Sequence, residues 1–118
     1  MSKEETTLGS IHISPNAVAT IAYHATLRSY GVVGLASRNL ASGLAQTITK
    51  DPNRGISVRY DEDKIDIDIY IIVQYGTRIT SVATSVANIV QFNVEKALGV
   101  RVNSIDVHVA GLRVGDDE

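Results

Sequence analysis

The stretch of residues 65–98 constrains the fold most, because a long alternating segment is followed directly by a long helical pattern. Every second residue from Ile65 to Tyr75 is Ile, Val or Tyr, and this period of two is typical of a strand with one buried face. The other face begins with two aspartates and becomes apolar at Tyr70 and Ile72. We therefore expect its acidic end to meet water and its far end to be covered.

A long helix is predicted from about Thr77 to Leu98, after a turn at Gly76. With about 3.6 residues per turn, the small and branched apolar side chains of this segment share one stripe. The members of the stripe are Ile79, Val82, Ala83, Val86, Val90, Val94 and Ala97. Gly99 is able to take the left-handed conformation that commonly ends a helix. The rest of the chain is expected to cover this strand and helix.

The segments before this unit predict two further elements with clear patterns. A short first strand is expected at residues 10–14, and its last serine caps a helix that is predicted from Pro15 to Ser29. Residues 32–36 fit either a short buried strand or a packed connection, and both interpretations stay open. A second, shorter helix is predicted from Ser37, with a shared face at Leu40, Leu44, Thr47 and Ile48.

The remaining segments predict a hairpin and a final strand. Residues 50–55 have the composition of an exposed loop, and strands from Ile56 and Ile65 are joined by an acidic turn at residues 61–64. A last strand is predicted over residues 102–114. This order predicts an α/β (α+β) fold, in which a single-layer mixed β-sheet of about four strands carries two main helices on one face.

Length and composition indicate one folded domain. The 118 residues suffice for one core, and we expect a disordered N-terminal tail at 1–8, a single domain at 9–114 and an acidic tail at 115–118. No apolar run approaches about 20 residues and cysteine is absent, so we expect a cytoplasmic protein without direct membrane insertion. The net charge of −2 with dispersed basic residues argues against nucleic acid as a partner.

The sequence presents no catalytic pattern. Its serines lie outside a Gly-x-Ser-x-Gly frame, and the phosphate-binding glycine patterns are absent. The best candidate for a metal site lies on the outer faces of the strands, and its ligands would be His12, His108, Asp66, Asp68 and Asp106. Polar residues are ordinary on exposed strand faces, and no close histidine pair concentrates these ligands. We therefore predict no metal, no cofactor, no catalytic residue and no enzyme activity.

Aromatic residues at helix positions outside the apolar stripes are the candidates for partner binding. Phe92 is the only phenylalanine and lies opposite the apolar stripe of the long helix. Tyr23, Leu27 and Tyr30 form a second stripe on the first helix, which either widens the core or faces a partner. Together these four residues would form an apolar, aromatic patch suited to a protein interface.

Five segments, in this order along nearly the whole chain, resemble the alkaline shock protein family, the small general-stress proteins of Gram-positive bacteria. The segments are residues 9–14, 30–36, 54–58, 67–83 and 107–112. The most specific is the strand that ends in Tyr75-Gly76 and continues as Thr-Arg-Ile-Thr-Ser-Val-Ala.

The resemblance implies a non-enzymatic stress-response protein of cell-envelope homeostasis that binds protein partners and forms homo-oligomers. Some members of the family work with a membrane-anchored partner, and the short members are similar to those encoded beside a dihydroxyacetone-kinase-like fatty acid kinase. We therefore expect an accessory role beside a fatty-acid-kinase-like partner, with the protein peripheral at the membrane through a partner. The chain has no long charged terminal extensions, which argues against strong self-assembly and direct membrane tethering.

Two functions are consistent with these features. The first is an adaptor that acts through protein contacts at the four candidate residues. The alternative is a small-ligand or lipid-binding accessory protein with a cleft beside Tyr70, Ile72 and Leu112. The first function needs an exposed patch, whereas the second needs a cleft.

Overall fold

The computed structural model describes residues 3–6, 9–37, 48–62 and 64–114, with the side chains from residue 13 onwards. The strands are β1 (Lys3–Thr6), β2 (Gly9–His12), β3 (Val32–Ala36), β4 (Ile48–Thr49), β5 (Ile56–Asp61), β6 (Lys64–Gln74) and β7 (Val102–Arg113). The helices are α1 (Pro15–Leu27), α2 (Pro52–Gly55) and α3 (Ile79–Leu98). Strands and helices belong to one mixed α+β fold, which confirms the predicted class.

Strand β6 lies at the centre of the main sheet. On one edge it pairs in parallel with β7 along almost its whole length, from Ile65 to Gln74. On the other edge β5 pairs antiparallel with the first half of β6, and β3 pairs antiparallel with the second half. Strand β4 extends the sheet beyond β3, and β1 and β2 form a separate two-stranded ladder. The main sheet is therefore mixed, as predicted, and contains five strands.

The core lies between one face of this sheet and the helices α1 and α3. The alternate residues of β6 from Ile65 to Val73 are all fully buried on this face. Helix α3 contributes a row of valines spaced four residues apart, and α1 contributes mainly small residues. Helix α3 also forms the crossover that the parallel pairing of β6 with β7 requires. Two main helices on one face of the sheet are confirmed.

The second face of the sheet changes character along β6, as the sequence predicts. Ile72 is fully buried there, and Ala36 of the neighbouring strand β3 is fully buried as well. Asp66 and Asp68, at the other end of β6, remain partly accessible to water. The half of this face near β5 and β7 is therefore the open, polar part of the molecule.

Local sequence signals explain how the helices and turns begin and end. Ser14 caps α1, because its Oγ accepts a hydrogen bond from the Asn16 N–H at 3.0 Å. Gly99 ends α3 in the left-handed conformation at φ 68°. The β5–β6 hairpin turn places Glu62 at φ 58°, a conformation that few residues with a side chain adopt.

Several expectations differ from the structure. Strand β1 lies within the segment predicted as a disordered tail, and α2 lies within the predicted loop. Ile79 is 41% exposed because it is the first residue of α3, and Ala97 is exposed near its end, so neither belongs to the buried stripe. Of the two interpretations left open for residues 32–36, the structure shows the strand. Most of the second predicted helix and the acidic tail lie outside the described residues.

None of the helices within the described residues is long and apolar enough to cross a membrane.

Candidate functional site

The structure separates the four predicted partner-binding residues into one buried side chain and three exposed ones. Tyr23 is only 7% exposed and belongs to the core, where its hydroxyl donates a hydrogen bond to the Thr49 carbonyl at 3.3 Å. Leu27, Tyr30 and Phe92 are 41%, 83% and 61% exposed. Of the two interpretations left open, Tyr23 therefore widens the core, and the other three residues remain accessible. We call Leu27, Tyr30 and Phe92 the α1/α3 surface.

Tyr30 is held at the turn between α1 and β3. The next residue, Gly31, has φ 88°, and a Cβ at that position would lie 2.6 Å from Cγ2 of Val82. The backbone therefore passes directly against the start of α3. A small groove of about 80 Å³ lies there, lined by Tyr30, Arg78, Ser81, Val82 and Ser85. The tyrosine ring thus stands in water beside a firmly packed turn.

Phe92 lies on the exposed side of α3, further along the same helix. The Nζ atom of Lys96 is 5.4 Å from the centroid of its ring, within the range of a cation–π contact. The adjacent Asn93 accepts a hydrogen bond from the Arg28 guanidinium at 3.3 Å, which joins the end of α1 to the second half of α3. From Ser81, beside Tyr30, to Phe92 the helix rises about 16 Å. Tyr30 therefore lies beside the start of α3, and Phe92 lies on α3 itself, about 16 Å further along the helix.

A second candidate site lies on the open face of the sheet, across β5, β6 and β7. Asp68 accepts hydrogen bonds from Nε and a terminal nitrogen of Arg59 at 3.2 and 2.9 Å. Its other carboxylate oxygen lies 3.1 Å from Nε2 of His108. The ring of His108 stacks on Tyr70, with 4.5 Å between the centroids and 11° between the planes. These four residues form a connected polar cluster, which we call the Asp68 cluster.

The carboxylates on this face are stabilised in their ionised form. Partial burial alone would raise the pKa of Asp68, but the hydrogen bonds from His108 and Arg59 outweigh it and hold the pKa below its usual value. Hydrogen bonds from Ser104 and Asn103 lower the pKa of Asp66. Both aspartates therefore keep their charge at neutral pH, and neither is suited to hold a proton there for general acid catalysis.

The Asp68 cluster brings together only part of the metal site considered from the sequence. His108 and Asp68 are in contact, but Arg59 also bonds the carboxylate, and a guanidinium is a competitor rather than a ligand for a cation. The His12 side chain lies outside the described part of the structure. Among the described residues there is no group of three or more His, Asp or Glu side chains that could hold a metal ion.

The predicted ligand cleft does not form as expected. Ile72 is fully buried, and Leu112 pairs with the core residue Val73, so the side chain of Leu112 lies on the helix face of the sheet. Tyr70 lies on the opposite face against His108. The three residues therefore do not line one cavity. The sequence placed them together because its alternation does not show the irregularity in β7 between the partners of Ile71 and Ile72.

Sequence reasoning missed the role of Arg59. Its contact with Asp68 depends on the antiparallel register of β5 and β6, in which Ser57 lies opposite Asp68 and Arg59 opposite Asp66. The parallel register of β6 and β7 likewise places Tyr70 opposite His108. An alternating pattern identifies which face a residue occupies, but it does not specify which residues are neighbours across strands.

Comparisons with known proteins give one family. The model of the alkaline shock protein 23 family, described by a cell envelope-related function, matches residues 3–114. The uncharacterized protein YloU of Bacillus subtilis is 40% identical over 111 residues, which cover 92% of each chain. The uncharacterized protein YqhY of the same organism is 30% identical over 114 residues, covering 96% of this chain and 84% of YqhY.

Solved structures with a similar fold include forms of the MamM CTD. The copper form superimposes with a TM-score of 0.52 at 21% sequence identity, covering 88% of this chain and 92% of that one. A zinc form of a single-residue variant gives a TM-score of 0.51 at 21% identity, covering 86% and 89%. At this level of identity the likeness concerns the fold alone.

Proposed function

This chain belongs to the alkaline shock protein 23 family, which has a cell envelope-related function, and we propose that it serves that function as a non-enzymatic adaptor. In this proposal it works in the cytoplasm during the stress response and reaches the membrane through a partner. Its partner is a fatty-acid-kinase-like or membrane-anchored protein. It also associates with itself as a homo-oligomer.

The exposure of Tyr30 and Phe92 carries the adaptor proposal. Large aromatic side chains are enriched at protein interfaces, where they bury much area at a small cost in conformational entropy. Tyr30 is 83% exposed at a turn that is packed against α3. Because the backbone of this turn is already fixed, binding a partner would restrict the motion of little more than the tyrosine ring. Phe92 is 61% exposed and is flanked by Lys96, which supplies a charged rim. The α1/α3 surface thus has apolar anchors with polar groups around them.

Four hydroxyl groups around α1 and the imidazole of His108 support a non-enzymatic role. Thr20, Thr26 and Ser29 donate hydrogen bonds to carbonyls of α1, and Ser14 caps that helix. His108 is the histidine with a carboxylate neighbour, and none of its hydrogen bonds within the described residues reaches a serine or threonine hydroxyl. These groups have structural partners, whereas nucleophilic catalysis needs a hydroxyl beside its base.

The adaptor proposal is tested by affinity purification of the tagged chain from its native cytoplasm, with mass spectrometry of the proteins recovered. Wild type is compared with Tyr30→Asp and Phe92→Asp, which place a charge in the α1/α3 surface. We expect both variants to fold, because the two side chains are exposed. Each should recover at least tenfold less of a stoichiometric partner than wild type does, on the order of the loss at an interface hot spot. Circular dichroism and thermal melting establish that the fold is retained.

Tyr75→Asp is the matched control, because Tyr75 is 65% exposed at the turn after β6 and lies outside the α1/α3 surface. It should recover the partner as well as wild type does. Equal recovery by all four proteins would reject the α1/α3 surface as the binding site. Recovery of no protein other than the chain itself would reject the adaptor function.

A further inference from the structure

The outer edge of β7 is a long strand edge that is unpaired within the described residues. One edge of β7 bonds to β6, and no other described strand pairs with it. The Val102 N–H at the start of the strand donates a hydrogen bond to the Glu95 carboxylate at 2.9 Å. Beyond it, the backbone N–H and C=O groups that point away from β6 form a row along this edge without a described strand partner. Such an edge favours pairing with another strand unless charges, bulges or proline block it.

The regular part of this edge is short and well defined. The pairing of β6 with β7 shifts register between the partners of Ile65 and Asp66, which leaves Asn103 as an extra residue. It shifts again between the partners of Ile71 and Ile72, which leaves Ala110 as an extra residue. The regular stretch between the two bulges is therefore residues 104–109.

This stretch is self-complementary when it pairs antiparallel with a second copy of itself. A two-fold axis perpendicular to the sheet keeps each side chain on its own face, so one residue must lie directly opposite its own copy, with the axis midway between the two. An axis at Asp106 would place the two copies of that carboxylate directly opposite each other, which is destabilising. An axis at Val107 instead places Asp106 of each copy opposite His108 of the other, both on the open face of the sheet.

The same register also matches the apolar side chains on the helix face. It places Ile105 of one copy opposite Val109 of the other, and Val109 is 38% exposed in the single chain. It brings Leu112, which is 43% exposed, towards Val102 of the other copy. A groove of about 170 Å³ lies at that position, between β7 and α3. Its lining consists of Ala87, Gln91, Val102, Asn103, Ser104 and Ile105.

We propose that two copies of this chain associate through the outer edges of their β7 strands, which pair antiparallel about an axis at Val107. The main sheets of the two copies then form one continuous sheet. The proposal specifies the self-association proposed above and rests on it, but it is independent of the α1/α3 surface. Backbone hydrogen bonds hold the two edges together. The two Asp106–His108 pairs set the register, and Leu112 adds apolar contact beside the groove.

Sedimentation velocity of the full chain over a concentration series tests the dimer. Wild type should be dimeric, and Asp106→Lys, which puts a cation opposite His108 twice, should weaken the dimer by roughly tenfold or more. Asp61→Lys makes the same charge change on β5, away from the β7 edge, and should stay dimeric. A wild type that stays monomeric, or an Asp106→Lys variant as dimeric as Asp61→Lys, would overturn the proposal.

Disulfide trapping tests the register, since the chain has no cysteine of its own. In the Val107 register the Cα atoms of positions 106 and 108 in different copies are about 5 Å apart, within reach of a disulfide, whereas two copies of position 106 are about 8 Å apart. An equal mixture of Asp106→Cys and His108→Cys chains should therefore form a crosslinked dimer under mild oxidation, and each variant alone should not. Crosslinking of Asp106→Cys to itself would refute the register.

The two proposals fail in different ways. If only the adaptor proposal is wrong, purification recovers no protein other than the chain itself while wild type sediments as a dimer. If only the α1/α3 surface is wrong, Phe92→Asp recovers as much partner as wild type. If only the β7 pairing is wrong, Asp106→Lys leaves the oligomeric state unchanged while Phe92→Asp still loses the partner.

Discussion

Among the described residues on the open face of the sheet, Asp68 makes the largest number of side-chain hydrogen bonds. Its side chain is 15% exposed and bonds both Arg59 on β5 and His108 on β7, so it links three strands. A partly buried carboxylate with two such neighbours contributes to stability only while it is ionised. The Asp68 cluster therefore stabilises the fold, and its contribution to the free energy of unfolding depends on pH.

The sign of this dependence follows from the pKa of Asp68, which lies below its usual value in the folded protein. Its contribution is fully present above the unfolded pKa of about 4 and is lost as the pH falls through the folded pKa. We expect Asp68→Asn to lower the free energy of unfolding by about 1 kcal/mol at pH 7, and by less at pH 3. Urea unfolding at the two pH values measures the difference.

Asp61→Asn is the control for this prediction, because Asp61 is an exposed aspartate at the end of β5. It should change the free energy of unfolding by a few tenths of a kcal/mol at most at either pH. An equal loss for Asp68→Asn at pH 7 and pH 3 would show that lost packing, rather than lost charge pairing, causes the effect.

At the scale of elements, the turn between α1 and β3 is fixed by its contact with α3. Gly31 and Gly76 both have positive φ, at 88° and 95°, so alanine is strained at either position. They differ in space: a Cβ at Gly31 would meet Val82 at 2.6 Å, whereas a Cβ at Gly76 meets nothing within 4 Å. Comparing alanine substitutions at these two glycines therefore distinguishes the cost of backbone strain from the cost of steric crowding.

We expect Gly76→Ala to destabilise the fold by about 1 kcal/mol, from the left-handed backbone alone. Gly31→Ala should cost about 1–3 kcal/mol more, because the new methyl group forces Val82 or the start of α3 to shift. Thermal and urea unfolding of the two variants provide the comparison. Equal destabilisation would mean that α3 moves aside without cost and that the turn is not fixed by packing.

The elements that the sequence predicts well are those with a long internal pattern. The period of β6 and the four-residue spacing from Val82 to Val94 predict a buried strand and a buried helix stripe, and both are observed. Strand β4 has two residues and depends on its pairing with β3, so no local pattern indicates it. The helix α2 has four residues and begins at an Asp51 cap that also fits a loop.

For the candidate sites too, features that depend on a local pattern are predicted and features that depend on tertiary contacts are not. The exposure of Phe92 follows from its position opposite the stripe of α3, which the helical period gives directly. The burial of Tyr23 does not, because its hydroxyl finds the carbonyl of Thr49 in a strand 26 residues away. The partners of Asp68 likewise depend on the registers of three strands, which only the assembled sheet defines.

At the scale of the whole molecule, one apolar core joins the elements of the main sheet and its helices. The same buried cluster contains residues of α1, β3, β5, β6, α3 and the start of β7. Tyr23 ties α1 to β4, and the Tyr60 hydroxyl donates a hydrogen bond to the Ile13 carbonyl at 2.8 Å, which ties β5 to the segment before α1. Loss of any one of these elements would expose the core surface of the others.

We therefore expect cooperative, two-state unfolding in urea, in which tyrosine circular dichroism in the near-ultraviolet and backbone circular dichroism in the far-ultraviolet give the same transition. Because the proposed dimer dissociates when the chain unfolds, the midpoint of wild type should rise with protein concentration, whereas that of Asp106→Lys should begin to rise only at concentrations roughly tenfold or more higher. Non-coincident transitions would reveal an independently melting part and contradict the single core. A wild-type midpoint that does not change with protein concentration would contradict the β7 pairing, because unfolding would then not be coupled to dissociation of a dimer. That result would not contradict the single core.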